Sequence, residues 1–172
     1  MSSHEDRLNN LLMEYITPEG KVDYETMKDS KTVEDYVEWL KTFNPETLKT
    51  RNEKLAFWIN TYNMITVCGV LRKLKEDPDF VEKGHKSYLQ RVKFFWRTKY
   101  VIGGKKYSLY QIENKILRKM HEPRIHFALN CASGSCPLLK DGLYSNGQLP
   151  DAQLRTRISD KNLHPKSYRS CN

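Results

Sequence analysis

The chain has 172 residues, 38% hydrophobic and 29% charged, with ten Tyr, six Phe, three Trp and a net charge of +8. That is long enough for one domain with its own core and too rich in aromatics for disorder throughout. No stretch approaches the roughly 20 apolar residues that span a bilayer, and Met1–Asp6 lacks the basic start and apolar run of a secretory leader, so a cytoplasmic protein with reduced thiols at Cys68, Cys131, Cys136 and Cys171 is expected.

Residues 5–16 place Leu8, Leu11, Leu12, Tyr15 and Ile16 at helical spacing, and Thr17-Pro18-Glu19-Gly20 ends that helix with turn residues. Lys21–Tyr24 reads as a short extended entry. A second helix comes next, capped by Asp29 or Ser30, with Val33, Tyr36, Val37 and Leu40 on one face. Asn44-Pro45-Glu46 is a further cap with Pro at the first helical position. The strongest helical pattern runs from about Asn52 to Lys75, where Leu55, Trp58, Ile59, Tyr62, Ile65, Cys68, Gly69, Leu71 and Leu74 form a broad apolar face. It predicts the central helix of the fold. Asn60 and Asn63 lie three apart and share one side of that helix. Asn is a poor interior helix residue, so the pair implies a polar task. Either the two side chains bond loop backbone, or they face a cleft and position or polarise a substrate carbonyl.

From Lys83 to Gln111 there is no Asp or Glu, while Lys83, Lys86, Arg91, Lys93, Arg97, Lys99, Lys105 and Lys106 are basic. Tyr88, Phe94, Phe95, Trp96 and Tyr100 are interleaved with them. Segment 83–106 is therefore a candidate surface for an anionic ligand or anionic lipid; the alternative is a solvated connection whose aromatics pack inward. Tyr100–Ile102, Gly103-Gly104 and Lys105–Tyr107 predict a hairpin. Ser108 and Gln111 then match the capping box of a helix that turns Leu109, Ile112, Ile116, Leu117 and Met120 inward and carries Glu113 beside that stripe. Beyond Leu139 the patterning weakens, with a short helix expected near Asp151 to Ile158 and a frayed end. No repeat, low-complexity tract or glycine-rich phosphate loop after a strand is present.

The run Arg124–Pro137, R-I-H-F-A-L-N-C-A-S-G-S-C-P, is the densest in groups capable of chemistry. Its first half alternates, with Ile125, Phe127 and Leu129 against His126, Ala128 and Asn130, which predicts a strand over 125–131 leading into a thiol-bearing turn. A thiol nucleophile needs a base and a group that orients the base. Cys131 or Cys136 with His126 supplies the first two. In a strand, Asn130 would lie about 13 Å from His126 at roughly 3.3 Å per residue, so Asn63 or Glu113 is the better orienter and Cys136 the better nucleophile. Zinc would need ligands beyond Cys131, Cys136 and His126, and four intervening residues is not the C-x-x-C redox spacing. The structural alternative has the two Cys as small buried hydrophobes and the Asn residues tying loops to the helix.

Several blocks occur in a recognisable order: Gly20–Tyr24, Leu55–Asn63 with F-W-I-N-x-Y-N, Ile102-Gly103-Gly104, Ser108-Leu109, Ile112-Glu113, Ile116–Arg118, and R-I-H-F-A-L-N-C at 124–131 followed by Ser135-Cys136-Pro137. Over about residues 20–155 the chain resembles the domain-of-unknown-function 547 family. The resemblance identifies relatives and not an activity. Domains of that family occur fused to glutaredoxin-like or DEP-like modules or to a plant leucine-zipper segment, which implies protein partners of that kind. Family members continue past the S-C-P block with further secondary structure, so the resemblance implies either a chain shortened at its C-terminus, with an edge of the core exposed, or a tail that substitutes for the missing part.

The resulting expectation is an α+β domain, mostly helical, with a small antiparallel sheet packed on the central helix. It spans 1–155, and a divergent, disordered tail occupies 156–172. The leading function is a non-catalytic adaptor or binding module in signalling or redox assemblies, with no cofactor or metal. The alternative is a hydrolase or transferase with His126, Cys131, Cys136, Asn63 and Glu113 as catalytic groups and Asn60, Asn130 and Ser135 as binding groups, lining one polar cleft beside the central helix.

Overall fold

The computed structural model describes residues 3–17, 21–78, 93–130, 139–140 and 142–145. Helix α1 (Ser3–Tyr15) buries Leu8, Leu11 and Leu12, and an antiparallel bridge between Ile16 and Val22 returns the chain to α2 (Tyr24–Met27). Asp23 caps α2 by accepting from the Thr26 N–H at 3.1 Å. Helix α3 (Thr32–Thr42) packs against α1 and buries Val33, Tyr36, Val37 and Leu40. It begins slightly later than the expected caps imply: its N-cap is Lys31, without a side-chain cap, although the Ser30 hydroxyl accepts from the Thr32 N–H at 3.3 Å. Asn44 does act as a cap, accepting from the Glu46 N–H at 3.0 Å, yet the helix it starts is a single 3-10 turn, Pro45–Thr47.

Helix α4 (Arg51–Glu76) is the expected central helix. It opens on a full capping box: Thr50 Oγ1 accepts from the Glu53 N–H at 3.1 Å, and Glu53 Oε2 accepts from the Thr50 N–H at 2.8 Å. Every residue from Leu55 to Leu71 is buried. Polar side chains in so enclosed a span draw their partners from within the protein, as Asn60, Asn63 and Thr66 do, and that constraint shapes the candidate site.

Strands β1 (Tyr100–Ile102) and β2 (Lys105–Tyr107) form the expected hairpin, with Tyr100 opposite Tyr107 and Ile102 opposite Lys105. Gly103 and Gly104 turn it with φ of +55° and +75°, the positive pair that matches strand twist. The turn also closes α3. The Gly103 and Gly104 N–H groups donate to the Leu40 and Lys41 carbonyls at 2.9 and 3.1 Å, satisfying acceptors that a helix end leaves open. A Cβ on Gly103 would stand 2.9 Å from the Phe43 carbonyl oxygen and 2.8 Å from Pro45 Cδ, so no other residue fits there.

Ser108 caps α5 (Leu109–Gln111) with the expected capping box, its hydroxyl accepting from the Gln111 N–H at 3.2 Å. The helix continues as a π-helical stretch, Ile112–Leu117, and a 3-10 turn, Arg118–Met120, ended by left-handed His121 at φ +51°. Leu109, Ile112 and Leu117 are buried, and Ile116 and Met120 are partly so.

The strand expected over 125–131 is not formed. Pro123–Phe127 is a 3-10 helix with Pro at its start, capped by Glu122, which accepts from the Arg124 N–H at 3.3 Å. The Ala128 and Leu129 N–H groups both donate to the Ile125 carbonyl, at 3.0 and 3.1 Å. The buried positions are Ile125, Ala128 and Leu129, spaced three and four apart, so a helical period underlies an alternation that reads equally well as period two. Among the described residues the sheet has two strands. The expected helix near 151–158, the tail at 156–172 and the thiol-bearing turn lie outside the described residues.

Candidate functional site

The α4 asparagines reach across the fold to main chain. Asn63 donates through Nδ2 to the Ala128 carbonyl at 2.9 Å and accepts through Oδ1 from the Asn130 N–H at 2.9 Å. One turn earlier, Asn60 donates to the Tyr144 carbonyl and accepts from the Tyr144 N–H, both at 2.8 Å. Asn9 of α1 joins them, accepting from the Leu143 N–H at 2.7 Å. An amide with one donor and one acceptor end mimics a strand partner for a chain that has none. Spacing of three on a helix aims both clamps the same way. They grip the chain on either side of the segment that carries Cys131, Ser135 and Cys136, three residues that lie outside those described.

His126 is exposed on the 3-10 turn, and no hydrogen bond of its ring is found among the described residues. Its neighbour Glu122 is 9% exposed and carries two guanidinium groups. Arg124 donates to it through Nε at 2.7 Å and Nη2 at 2.9 Å, and Arg51 lies 3.7 Å away. The Arg124 hydrogen bonds hold the Glu122 carboxyl at about 2, well below the usual range. Arg51 also donates to the Met120 carbonyl at 2.7 Å, tying the start of α4 to this turn. Glu113 sits in the π-helical stretch with its side chain 14% exposed. Arg118 donates to Oε1 at 2.9 Å, and the Tyr62 hydroxyl donates to Oε2 at 3.4 Å. Asn63 and Glu113 are thus engaged with partners other than His126. Asn130 is half-buried, with its N–H on Asn63.

The described part of the basic segment docks on α4 at Gly69. A Cβ there would stand 2.6 Å from Phe94 Cε2 and 2.8 Å from Tyr100 Oη, so the absence of a side chain is what admits both rings. Next to it, burial pushes the Cys68 thiol up to about 11, which keeps it protonated and inert at neutral pH. Burial likewise raises the Tyr100 hydroxyl. A π-helical turn, Lys93–Arg97, turns Phe94 inward and leaves Trp96 47% exposed. The Trp96 and Tyr110 rings stack at 3.8 Å and 16°, and Phe95 meets Tyr110 edge-on at 6.3 Å. Arg97, Lys99, Lys105 and Lys106 are exposed, with Lys99 Nζ donating to Gln111 Oε1 at 2.7 Å. The aromatics therefore divide: Phe94 and Tyr100 pack inward, and Trp96 faces solvent.

These elements define an α+β domain, mostly helical, with one small antiparallel sheet docked on the helical layer. Residues 45–160 match the model of a family described as protein of unknown function, DUF547, which covers about two thirds of the chain. The chain belongs to that family. The match takes in α4, the hairpin, α5 with its extension and the 3-10 turn, and begins after the Gly20–Tyr24 block. No curated protein and no solved structure matches the chain. No described helix is long and apolar enough to cross a membrane.

Proposed function

We propose that this is a non-catalytic binding module, an adaptor acting in the cytoplasm within signalling or redox assemblies of the kind its family's glutaredoxin-like and DEP-like fusions imply. Its contact surface is the described part of segment 83–106. The observation that carries this reading is the outward Trp96, fixed on Tyr110, in a stretch that contains no carboxylate and whose Arg97, Lys99, Lys105 and Lys106 are exposed. The engagement of both α4 asparagines with main chain supports it too, since their amides serve architecture. The test is fluorescence anisotropy with labelled polyphosphate. Binding at low salt that falls steeply as salt rises is the expected result. No binding at low salt overturns the reading.

A second reading keeps a hydrolase or transferase with Cys131 or Cys136 as nucleophile and His126 as base. Asn63 or Glu113 would orient the base, and Asn60, Asn130 and Ser135 would bind substrate. Its support is that Asn63 and Asn60 clamp both flanks of the thiol-bearing segment to one helix, which is how a nucleophile is positioned. Alkylation of each Cys against pH, in wild type and His126→Ala, tests it. A thiol reacting well below the free value of about 8.5, with that reactivity lost in the variant, supports the reading. Ordinary thiols in both proteins retire it.

A further inference from the structure

We infer that the partner of the basic face is an anionic bilayer surface, with Trp96 seated at the headgroup level and Arg97, Lys99 and Lys106 contacting lipid phosphates. The inference rests on the binding-module reading.

The three tryptophans differ in a way that packing alone does not require. Trp58 is buried at 7% and Trp39 packs partly buried on the core, whereas Trp96 is 47% exposed. An indole has an apolar body and one N–H donor, which suits the boundary between headgroup and acyl chain better than bulk water. Tyr110 stacks on one of its faces. That contact fixes the ring's orientation before binding and lowers the entropy of insertion.

The exposed charges and the indole lie in one short stretch, 96–106. Arg97 and Lys99 follow Trp96 within three residues. On β2, Tyr107 faces the core against Trp58, so Lys106, its neighbour in a strand, projects from the opposite face alongside half-buried Val101. Basic side chains near an anionic leaflet each strengthen association by about fivefold, and an aromatic anchor adds an apolar component that salt does not screen. With no described helix able to span a membrane, contact of this type lies on the surface.

The experiment uses the full chain with vesicles of phosphatidylcholine, alone or mixed with phosphatidylserine, some carrying brominated acyl chains. Flotation should occur only with phosphatidylserine and weaken with salt. Brominated lipid should quench tryptophan emission in wild type and leave Trp96→Phe unquenched, with folding of the variant verified by circular dichroism. The double variant Arg97→Glu with Lys99→Glu, which leaves the Trp96 stack in place, should lose at least tenfold in partitioning. Quenching that persists in Trp96→Phe, or partitioning unchanged in the charge variant, overturns the inference. If polyphosphate binds and vesicles do not, the bilayer is wrong and the module stands. If neither binds, both fail.

Discussion

The polar side of α4 and the face around Trp96 treat hydrophilic groups in opposite ways. Asn60 and Asn63 are buried, and each has a donor and an acceptor on main chain more than sixty residues away in sequence. Arg97, Lys99, Lys105 and Lys106 are exposed, and the stretch around them supplies no carboxylate. A buried polar group must be paired or it destabilises the fold by its full desolvation cost. An exposed cation remains hydrated and available to a ligand. The difference separates groups that hold the fold from groups left open to solvent.

The largest effect expected is at the clamp. Asn63→Ala leaves the Ala128 carbonyl and the Asn130 N–H without their partner, and two such losses should destabilise by about 2–5 kcal/mol, read by urea unfolding. A loss under about 0.5 kcal/mol would erase the contrast. Gly69→Ala comes next, because its methyl meets Phe94 and Tyr100 inside van der Waals contact. Overpacking should cost about 1–3 kcal/mol and should weaken polyphosphate binding as well, since the same seat carries the basic segment. Unchanged binding in that variant would separate the face from its docking site.

Glu122 sharpens the comparison, being a carboxylate that neutralises its own cations. Its folded-state pKa is about 2, below the ordinary value near 4.3. The stabilisation it provides is therefore complete above about pH 4.3 and is lost as pH falls through 2. The stability gap between wild type and Glu122→Gln should narrow as pH drops from 5 to 2 in a denaturation series, and a constant gap would refute the assignment. The smallest effect belongs to the exposed cations. Arg97→Ala and Lys99→Ala should each change stability by less than about 0.5 kcal/mol while reducing polyphosphate affinity, a dissociation that Asn63→Ala cannot imitate.

Much of the scaffold is legible locally. The α4 pattern, the Gly103-Gly104 hairpin and the Ser108 cap each depend on interactions within a few residues, and all three stand. The Thr50–Glu53 capping box carries the same kind of signal, T-x-x-E before an apolar run, and it starts the helix before Asn52. The strand expected over 125–131 does not form; the alternation of the six residues 125–130 cannot separate a period of two from one of three to four when apolar and polar residues mix. Pro123 and the Glu122 cap, both just outside that window, are the better guides. Asn60 and Asn63 stand out in the sequence as polar residues with a task, and the choice between tying loops and lining a cleft has no local signature.

The sequence by itself determined the helical character, the position of the central helix, the hairpin and the charge imbalance of segment 83–111, because spacing, turn residues and composition act at short range. Tertiary structure alone decided that the α4 amides bond the flanks of a distant segment, that Gly69 seats Phe94 and Tyr100, and that Trp96 faces outward while Phe94 packs inward. Those outcomes depend on which surfaces meet after collapse, and burial turns each meeting into a demand for a partner that no stretch of sequence contains on its own.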